Sequence, residues 1–522
     1  MTSSLTLEPA RPDAFRSLTL GAGLRLVSRR DPDKTALDDG ERQLSYADLA
    51  QRVASCAAVG AGTLGLRNGD VVALLAPNCI EYPEIVIGLS DCGAIVATLN
   101  PRLSAAELAA ILADCAPRAV VLHPECASAA EVAIAAGIRV LRIGDEYEAA
   151  LASAAAAPRL PVVDECQPFA MSYTSGTTGT PKGVLLSHRS RMLTFMAMAM
   201  EYGCFGTEDH FLALAPMYHG AGFVFACAPL MTGGSCTILM QADAGRIAEE
   251  LGSGRYSGVF MVPTHIHRLL QLPAPLLAQA RARHRLKTVI SNAAALSQPL
   301  KEGMVAWLGE GLLHETYGST ECGIVSNIRP ADLLRKPGSV GTPVWGMEVE
   351  LRDAHGAVVP AGEVGELFCR SPYSFNGYLN RPRETAEAVI DGWVTVGDLA
   401  MRDGEGFIRI VDRKKDMIIT GGVNVYPAEV EAVIRTVTGV VDVAVVGVPD
   451  AEWGERIHAF VVPAAGAAPA PLAEQIISAC RERLAGFKVP RGLTFVEEFP
   501  RNPSGKLLKR ELREAAATAA RA

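Results

Sequence analysis

The sequence has no excess of basic residues, no long apolar run and no closely spaced cysteine pair. Its 49 Lys and Arg residues stand against 57 Asp and Glu residues, which gives a net charge of −8 at pH 7. Because non-specific binding to nucleic acid depends on a basic surface, this balance predicts no nucleic-acid partner. Small anions stay open as ligands, since a single loop can bind them in a chain of negative net charge.

Signals for membrane insertion and secretion are also missing. The sequence contains no run of about 18 apolar residues, so no membrane span is predicted. Its first residues lack a basic segment followed by an apolar one, so no signal peptide is expected. The 12 cysteines include no Cys-x-x-Cys pair, which disfavours a zinc site and a dense disulfide framework. We therefore expect reduced thiols in a cytoplasmic protein. The oligomeric state is left open, with a homodimer among the alternatives.

Two histidines, His265 and His267, invite interpretation as metal ligands. If their segment were a strand, both rings would lie on one face. No third ligand is spaced nearby, so a metal site there is disfavoured.

Strand and helix patterns alternate over residues 40–125. Apolar runs predict buried strands, and the capping-box pattern that starts at Ser104 predicts a helix over Ala105 to Cys115. This alternation is typical of an α/β fold with a mainly parallel sheet. After Asp412 a second, shorter α/β pattern begins, so the domains are predicted to span 1–412 and 413–522.

The most informative segment runs from Phe169 to Val184. An apolar strand leads into a loop rich in Gly, Thr and Ser, which ends at Lys182. Glycines let backbone N–H groups converge on a phosphate, hydroxyls add donors, and the lysine adds positive charge. Pro181 and Gly183 flank the lysine, so this loop is not a Walker P-loop. The alternative is a flexible Gly/Thr hairpin without a ligand.

With this segment the sequence resembles the adenylate-forming superfamily, in its acyl-CoA synthetase branch. Four further motifs match that superfamily in its own order: Tyr317 to Glu321, Gly397-Asp398, Asp412 to Glu429, and Pro500 to Lys506. The resemblance implies a large N-terminal α/β domain of several subdomains, with sheets and a distorted β-barrel. It also implies a small, mobile C-terminal α+β domain that acts as a lid.

The resemblance implies a binding site for ATP and Mg²⁺. Glu321 and Thr174 would hold the metal, with Lys182 at the phosphates. Asp398 and Arg413 would meet the ribose or phosphate. The remaining nucleotide-binding positions are Ser175, Gly176, Thr177, Thr178, Gly179, Asn292, Ala293, Ala294, Glu315, Thr316, Tyr317, Gly318 and Thr320.

The C-terminal motif implies the catalytic lysine, Lys506, which would bridge the acid and the α-phosphate. Positive charge there would stabilise the transition state in which two anions meet. Lys415 matches the hinge about which the small domain would turn between the two half-reactions. Gly421 and Gly422 would approach pantetheine, and Asn424 would lie beside the hinge.

The acid pocket is marked by Pro216 to Phe223, which resembles a stretch of acyl- and aryl-CoA ligases. His219 would gate or line this pocket, although a core histidine is the alternative. Asn292 and Ala295 replace the usual glycine and proline of the Ser291–Leu296 segment.

The resemblance implies an ATP-dependent acid–CoA ligase. It would activate a fatty, medium-chain or aromatic carboxylic acid as acyl-AMP and transfer the acyl group to coenzyme A. One alternative is an acyl-adenylate ligase that loads a carrier protein, and another is a non-catalytic nucleotide-binding regulator.

Overall fold

The structure is a computed structural model that describes residues 18–154, 161–174, 181–421, 423–450, 453–501 and 507–519. The chain forms two compact units. The first comprises the residues up to Val349 together with Cys369–Val394, and the second comprises Glu350–Phe368 and the residues from Thr395 onward. The fold is mixed α/β, with a large N-terminal part and a smaller C-terminal one.

Up to residue 153, strands and helices alternate. The elements are α1 Leu20–Arg30, β1 Thr35–Asp38, β2 Gln43–Ser45, α2 Tyr46–Ala58, β3 Val71–Leu75, α3 Glu81–Asp91, β4 Ile95–Leu99, α4 Ala105–Cys115, β5 Ala119–Leu122, α5 Ala127–Ala135, β6 Arg139–Arg142 and α6 Asp145–Ser153.

The alternation continues to residue 343. The elements are β7 Pro168–Thr174, β8 Lys182–Ser187, α7 His188–Tyr202, β9 His210–Ala213, α8 Gly220–Thr232, β10 Ser235–Ile238, α9 Ala244–Gly252, β11 Gly258–Met261, α10 Pro263–Leu270, α11 Ala274–Arg283, β12 Thr288–Ser291, α12 Gln298–Leu308, β13 Leu313–Ser319, β14 Gly323–Ile328, α13 Pro330–Leu333 and β15 Thr342–Pro343.

Strands dominate from residue 348 onward. The elements are β16 Glu348–Arg352, β17 Val364–Arg370, β18 Gly377–Tyr378, α14 Pro382–Ala388, β19 Val389–Ile390, β20 Trp393–Arg402, β21 Ile408–Arg413, β22 Ile418–Thr420, β23 Val423–Val425, α15 Pro427–Ile434, β24 Val440–Asp450, β25 Gly454–Pro463, α16 Pro469–Arg483, β26 Gly492–Phe495 and α17 Lys509–Ala519.

Two large sheets form the first unit. The seven-stranded sheet has the order β18-β8-β7-β4-β3-β5-β6, and the nine-stranded sheet has the order β15-β14-β13-β12-β11-β9-β10-β1-β2. Strands β3, β4, β5 and β7 are wholly or largely buried, because helices cover both faces of such parallel sheets. Strands β9 to β13 run parallel to one another, so the segments that follow them emerge at one edge of the nine-stranded sheet.

Two five-stranded sheets remain: one has the order β16-β17-β20-β19, with β21 paired to β20, and the other lies in the second unit. Its order is β23-β22-β25-β24, and β26 pairs with β25. Apolar residues of α15 and α16 pack with those of β24 and β25 in one core. Within the same unit, β21 pairs antiparallel with β20.

Local predictions agree well with these elements. Helix α4 spans the predicted residues, and Ser104 and Glu107 form both hydrogen bonds of the capping box. His265 and His267 lie on a helix that Pro263 starts, so their rings do not share the face of a strand. Among the described residues, no group of three or more possible ligands could hold a metal ion.

Two further features concern the thiols and the length of the helices. All 12 cysteines lie in described segments and are free, and Cys166 alone is exposed. In the described part of the chain, no helix combines the length and the apolar character that crossing a membrane requires.

Candidate active site

The two ends of the predicted phosphate loop are register partners. Strand β7 ends at Thr174, β8 begins at Lys182, and these two residues lie opposite each other in an antiparallel pair. The hairpin therefore brings a hydroxyl and an ammonium group to the mouth of the loop. The predicted loop residues Ser175, Gly176, Thr177, Thr178 and Gly179 lie outside the described residues.

Tyr378 joins two of the predicted residues. Its hydroxyl donates to the Glu321 Oε1 atom at 3.0 Å, and the Lys182 Nζ atom lies 5.0 Å from its ring centroid. Strand β18 places it there by pairing with β8, where Tyr378 is opposite Val184. Burial, and then the charge of Glu321, raise the pKa of Tyr378, so the phenol stays a donor at neutral pH.

Tyr378 is not among the residues predicted from the sequence. It lies 57 residues after Glu321 in the chain. No spacing or periodicity connects two such distant positions. The pairing of β18 with β8 is a long-range contact, so the only local signal is the strand-like Gly377-Tyr378 itself.

Glu321 is a buried carboxylate that forms no ion pair with any described residue. It is 8% exposed, and its one side-chain hydrogen bond among the described residues comes from the neutral Tyr378 hydroxyl. A buried carboxylate is ordinarily paired with a cation. Oxygen ligands of this kind suit Mg²⁺, which commonly takes one or two carboxylates together with phosphate oxygens. Glu321 therefore fits the role of metal ligand.

The Glu315 carboxylate is held by two other residues of the chain. Its Oε2 atom lies 2.5 Å from the Lys301 Nζ atom, and these side chains are 4% and 2% exposed. Its Oε1 atom accepts a hydrogen bond from the Leu296 backbone at 2.8 Å. Glu315 on β13 thus anchors the segment that follows β12. Both oxygens of its carboxylate lie next to groups of the chain itself.

The segment after β12 carries Asn292, Ala293 and Ala294. Ala293 has φ of 77°, in the left-handed region that favours glycine, and its N–H donates to the Asn292 side chain. Both alanines are exposed. Their backbone is therefore available to line a ligand at the carboxyl edge of the sheet, and strained backbone of this kind is common at binding sites.

In the Tyr317–Thr320 segment, mainly backbone groups are accessible to a ligand. The Thr316 hydroxyl is buried between the Tyr202 hydroxyl, at 2.6 Å, and the Asn327 side chain, so it faces the core. A bulge separates Tyr317 from Gly318, where a Cβ atom would lie 2.2 Å from the Gly323 carbonyl oxygen. Glycine is therefore required at 318, while Tyr317 and Thr320 are half-buried.

His219 lies at the start of α8, where its ring centroid is 4.5 Å from that of Tyr218. Burial lowers the pKa of His219 to about 4, so the imidazole is neutral at pH 7. A half-buried neutral ring at a helix start is suited to lining a pocket, and it carries no charge for an acid to pair with.

In the second unit, Asp398 and Arg413 form an ion pair. They are register partners in β20 and β21, and the Arg413 Nε atom lies 2.6 Å from the Asp398 Oδ1 atom. The aspartate is buried and the arginine half-buried, so the pair presents a fixed dipole with a cationic side toward solvent.

The loop after β21 is held at several points. The Asp412 carboxylate accepts from the N–H groups of Arg413 and Ala428, which ties the loop to the start of α15. Arg513 donates to the Lys415 carbonyl oxygen and pairs with Asp416 at 2.6 Å. Partial desolvation lowers the pKa of the Lys415 amine.

Of the predicted residues after Lys415, the structure describes only Gly421 and Asn424. Gly421 has φ of 57° and donates its N–H to the Trp453 carbonyl oxygen, and Asn424 is exposed on β23. Gly422 and the predicted catalytic Lys506 lie outside the described residues. Lys509, close to Lys506 in sequence, pairs with Glu431 at 2.8 Å.

Comparison with known protein families finds two matches. The family described as AMP-binding enzyme matches residues 24–379, and the AMP-binding enzyme C-terminal domain matches residues 429–506.

Among curated proteins, the chain is 37% identical to a feruloyl-CoA synthase of Amycolatopsis sp over 507 residues, which cover 96% of this chain and 99% of that protein. It is 32% identical to a long-chain-fatty-acid–CoA ligase of Salmonella typhimurium, with 97% and 95% covered. Among solved structures, ATP-bound MatB from Rhodopseudomonas palustris superposes with a TM-score of 0.87 at 30% identity, with 97% and 100% covered.

Proposed function

The chain belongs to the family of AMP-binding enzymes, and from that premise we propose which of its residues carry each step of its reaction. The protein is an ATP-dependent acid–CoA ligase. It joins a carboxylic acid to AMP with release of pyrophosphate, and it then transfers the acyl group to coenzyme A.

The proposed phosphate site is supported by the contacts among Lys182, Tyr378 and Glu321. Lys182 would pair with the phosphates of ATP, and the loop from Ser175 to Gly179 would donate backbone and hydroxyl hydrogen bonds to them. Glu321 and Thr174 would hold Mg²⁺, which when bound neutralises phosphate charge. Tyr378 orients the Glu321 carboxylate, because its hydroxyl holds one of the two oxygens.

The rest of the nucleotide would lie along the carboxyl edge of the nine-stranded sheet. The exposed backbone of Asn292, Ala293 and Ala294 would line the base, with Tyr317 stacked on it. Support comes from the Lys301–Glu315 pair, which anchors that segment through Leu296. Asp398 would accept hydrogen bonds from the ribose hydroxyls, and Arg413 would meet the ribose or phosphate.

We assign the two half-reactions to two domains, 1–412 and 413–522. Lys506 would stabilise the negative charge that gathers as the carboxylate attacks the α-phosphate. The small domain would then turn at Lys415, so that Gly421, Gly422 and Asn424 approach the pantetheine thiol. Lys506→Ala should abolish acyl-AMP formation and spare thioester formation from supplied acyl-AMP. Equal loss in both steps would overturn the assignment.

For the acid, we propose an aromatic substrate of the cinnamic type. The support is the 37% identity to a feruloyl-CoA synthase over nearly the whole chain, against 32% to a long-chain-fatty-acid–CoA ligase. His219 is suited to the wall of such a site, because its neutral ring packs on Tyr218 and adds no charge to an apolar pocket.

A panel of acids tests this proposal. Ferulate, decanoate and palmitate are compared by pyrophosphate release with CoA, with a carrier protein and with neither. The proposal predicts the highest kcat/KM with ferulate and a thioester only with CoA. Preference for a fatty acid would overturn the substrate class, and acyl-AMP that persists with CoA but reacts with the carrier would favour the carrier-loading alternative. Absence of pyrophosphate with every acid would favour a regulator.

The cellular location is a further proposal. Twelve free thiols, of which 11 are buried, are typical of proteins in a reducing compartment, and we therefore place the enzyme in the cytoplasm.

A further inference from the structure

Asn78 is a buried asparagine whose side-chain amide bonds to the backbone of distant segments. It lies between β3 and α3 and is 3% exposed. Its Nδ2 atom donates to the carbonyl oxygens of Ala215 and Leu239, both at 3.1 Å, and its Oδ1 atom accepts from the Met217 N–H at 2.8 Å. The donors and the acceptor of the amide are thus all engaged. Because the amide is shielded from water, these bonds hold their partners firmly.

These contacts join the carboxyl ends of strands from both large sheets. Asn78 follows β3 of the seven-stranded sheet, while Ala215 follows β9 and Leu239 follows β10 of the nine-stranded sheet. In sheets of parallel strands, ligands bind at the carboxyl ends. The Asn78 amide therefore fixes one sheet to the other at the edge where the segment of the candidate acid site begins.

The amide of Asn78 holds the backbone on both sides of Pro216. It binds the carbonyl group of the residue before this proline and the N–H group of the residue after it. The Pro216 carbonyl oxygen in turn accepts from the His219 N–H at 3.1 Å. A Cβ atom on Gly222 would lie 2.1 Å from the same oxygen, so the first turn of α8 packs directly against it. A displacement of Pro216 would therefore move His219 and the start of α8.

We propose that Asn78 is a positioning residue for the acid site, because it fixes the backbone that places the His219 ring. The polar atoms of its amide are all engaged, so Asn78 acts on the acid through that backbone. The His219 ring also packs on Tyr218, which is itself buried, and the ring therefore follows the position of its segment. This inference rests on the acid site of the proposed function. Loss of the amide should weaken binding of the acid and spare that of ATP, whose assigned residues lie on other strands.

Asn78→Leu tests the role, because it keeps the approximate shape of the side chain and removes its hydrogen bonds. The KM for the acid that the panel selects should rise about 10-fold. The KM for ATP at saturating acid should change less than about 2-fold. A loss of overall stability alone does not produce this split. Equal rises in both KM values would overturn the proposal.

Tyr46→Phe is the matched control. Tyr46 is also buried, and its hydroxyl donates to the Gly234 carbonyl oxygen at 2.7 Å, just beyond the far end of α8. This variant likewise removes a buried hydrogen bond from a side chain to the backbone, so it should lower stability. It should keep the wild-type KM for the acid. A rise in Y46F as large as that in N78L would contradict a specific role for Asn78.

Asn78→Ser covers the case in which N78L does not fold. The serine hydroxyl both donates and accepts, but it is shorter and replaces only part of the amide. The KM for the acid should rise about 3-fold, with the KM for ATP unchanged. A wild-type KM for the acid in N78S would overturn the proposal.

A double-mutant cycle with His219→Ala separates this inference from the proposed function. If Asn78 acts through His219, N78L (or N78S in its place) should add less than about 2-fold to the acid KM of H219A. A rise of the full size in that background, or a rise with N78L and none with H219A, would overturn the proposal. If H219A raises the acid KM and N78L does not, the acid site stands and Asn78 does not position it. If neither variant changes the acid KM, the acid site lies elsewhere and that part of the proposed function fails.

Discussion

Glu321 and Asp398 are two buried carboxylates whose surroundings differ in charge. Glu321 receives a hydrogen bond from the neutral Tyr378 hydroxyl, and among the described residues no cationic side chain pairs with it. Asp398 pairs directly with the Arg413 guanidinium group. Among the described residues, the Glu321 carboxylate therefore lacks the cationic partner that the Asp398 carboxylate has.

A third carboxylate extends the comparison. Glu315 is paired with the buried Lys301 and also accepts from the Leu296 backbone. Its charge is compensated inside the chain, so its role is to position a segment. The three buried carboxylates thus differ in the partner beside them: a neutral hydroxyl at Glu321, a guanidinium group at Asp398 and an ammonium group at Glu315.

The largest expected effect comes from Glu321→Gln. This change keeps the shape and removes the charge available to Mg²⁺, so acyl-AMP formation should fall about 10³-fold. Pyrophosphate release as a function of Mg²⁺ concentration measures it. The exposed Glu302→Gln on α12 is the matched control and should match the wild type. Wild-type kinetics in E321Q would refute the metal role.

Lys301→Met should have the next largest effect, on stability. It leaves the buried Glu315 carboxylate unpaired, which should lower the free energy of unfolding by about 3 kcal/mol. Urea denaturation measures this change. The exposed Arg383–Glu387 pair provides the control, since Arg383→Met should lower it by less than about 0.5 kcal/mol. Equal losses in the two variants would contradict the structural role given to Glu315.

Asp398→Asn separates hydroxyl acceptance from metal binding. Loss of a charge-assisted hydrogen bond costs about 2 kcal/mol, so the KM for ATP should rise about 30-fold. The effect should shrink with 2′,3′-dideoxy-ATP, which lacks the hydroxyls. A rise of the same size with both nucleotides would argue against contact with the ribose.

Tyr378→Phe should have the smallest effect. It removes one hydrogen bond to Glu321 but keeps the ring beneath Lys182, so the Mg²⁺ concentration for half-maximal rate should rise about 5-fold. Tyr373→Phe removes a different buried tyrosine hydroxyl, which bonds the Trp345 carbonyl oxygen, and serves as control. If both variants require the same Mg²⁺ concentration, Tyr378 does not orient the metal ligand.

Local structure was predictable wherever the signal was local. The capping box at Ser104 predicted α4 with the bounds that the structure has. The spacing of His265 and His267 did not decide between strand and helix, and in the structure a strand ends at Met261 and Pro263 starts a helix. A two-residue spacing alone cannot distinguish a strand face from a helix start.

Residue types at fixed local spacings were sufficient to predict the family and its motif residues, because the motifs are local. Tertiary structure decided what accompanies each charged group. Tyr378 reaches Glu321 through the pairing of β18 with β8, and Lys301 reaches Glu315 through the packing of α12 on β13. Burial and pairing depend on contacts between segments far apart in the chain, and those contacts set the charge that each site presents.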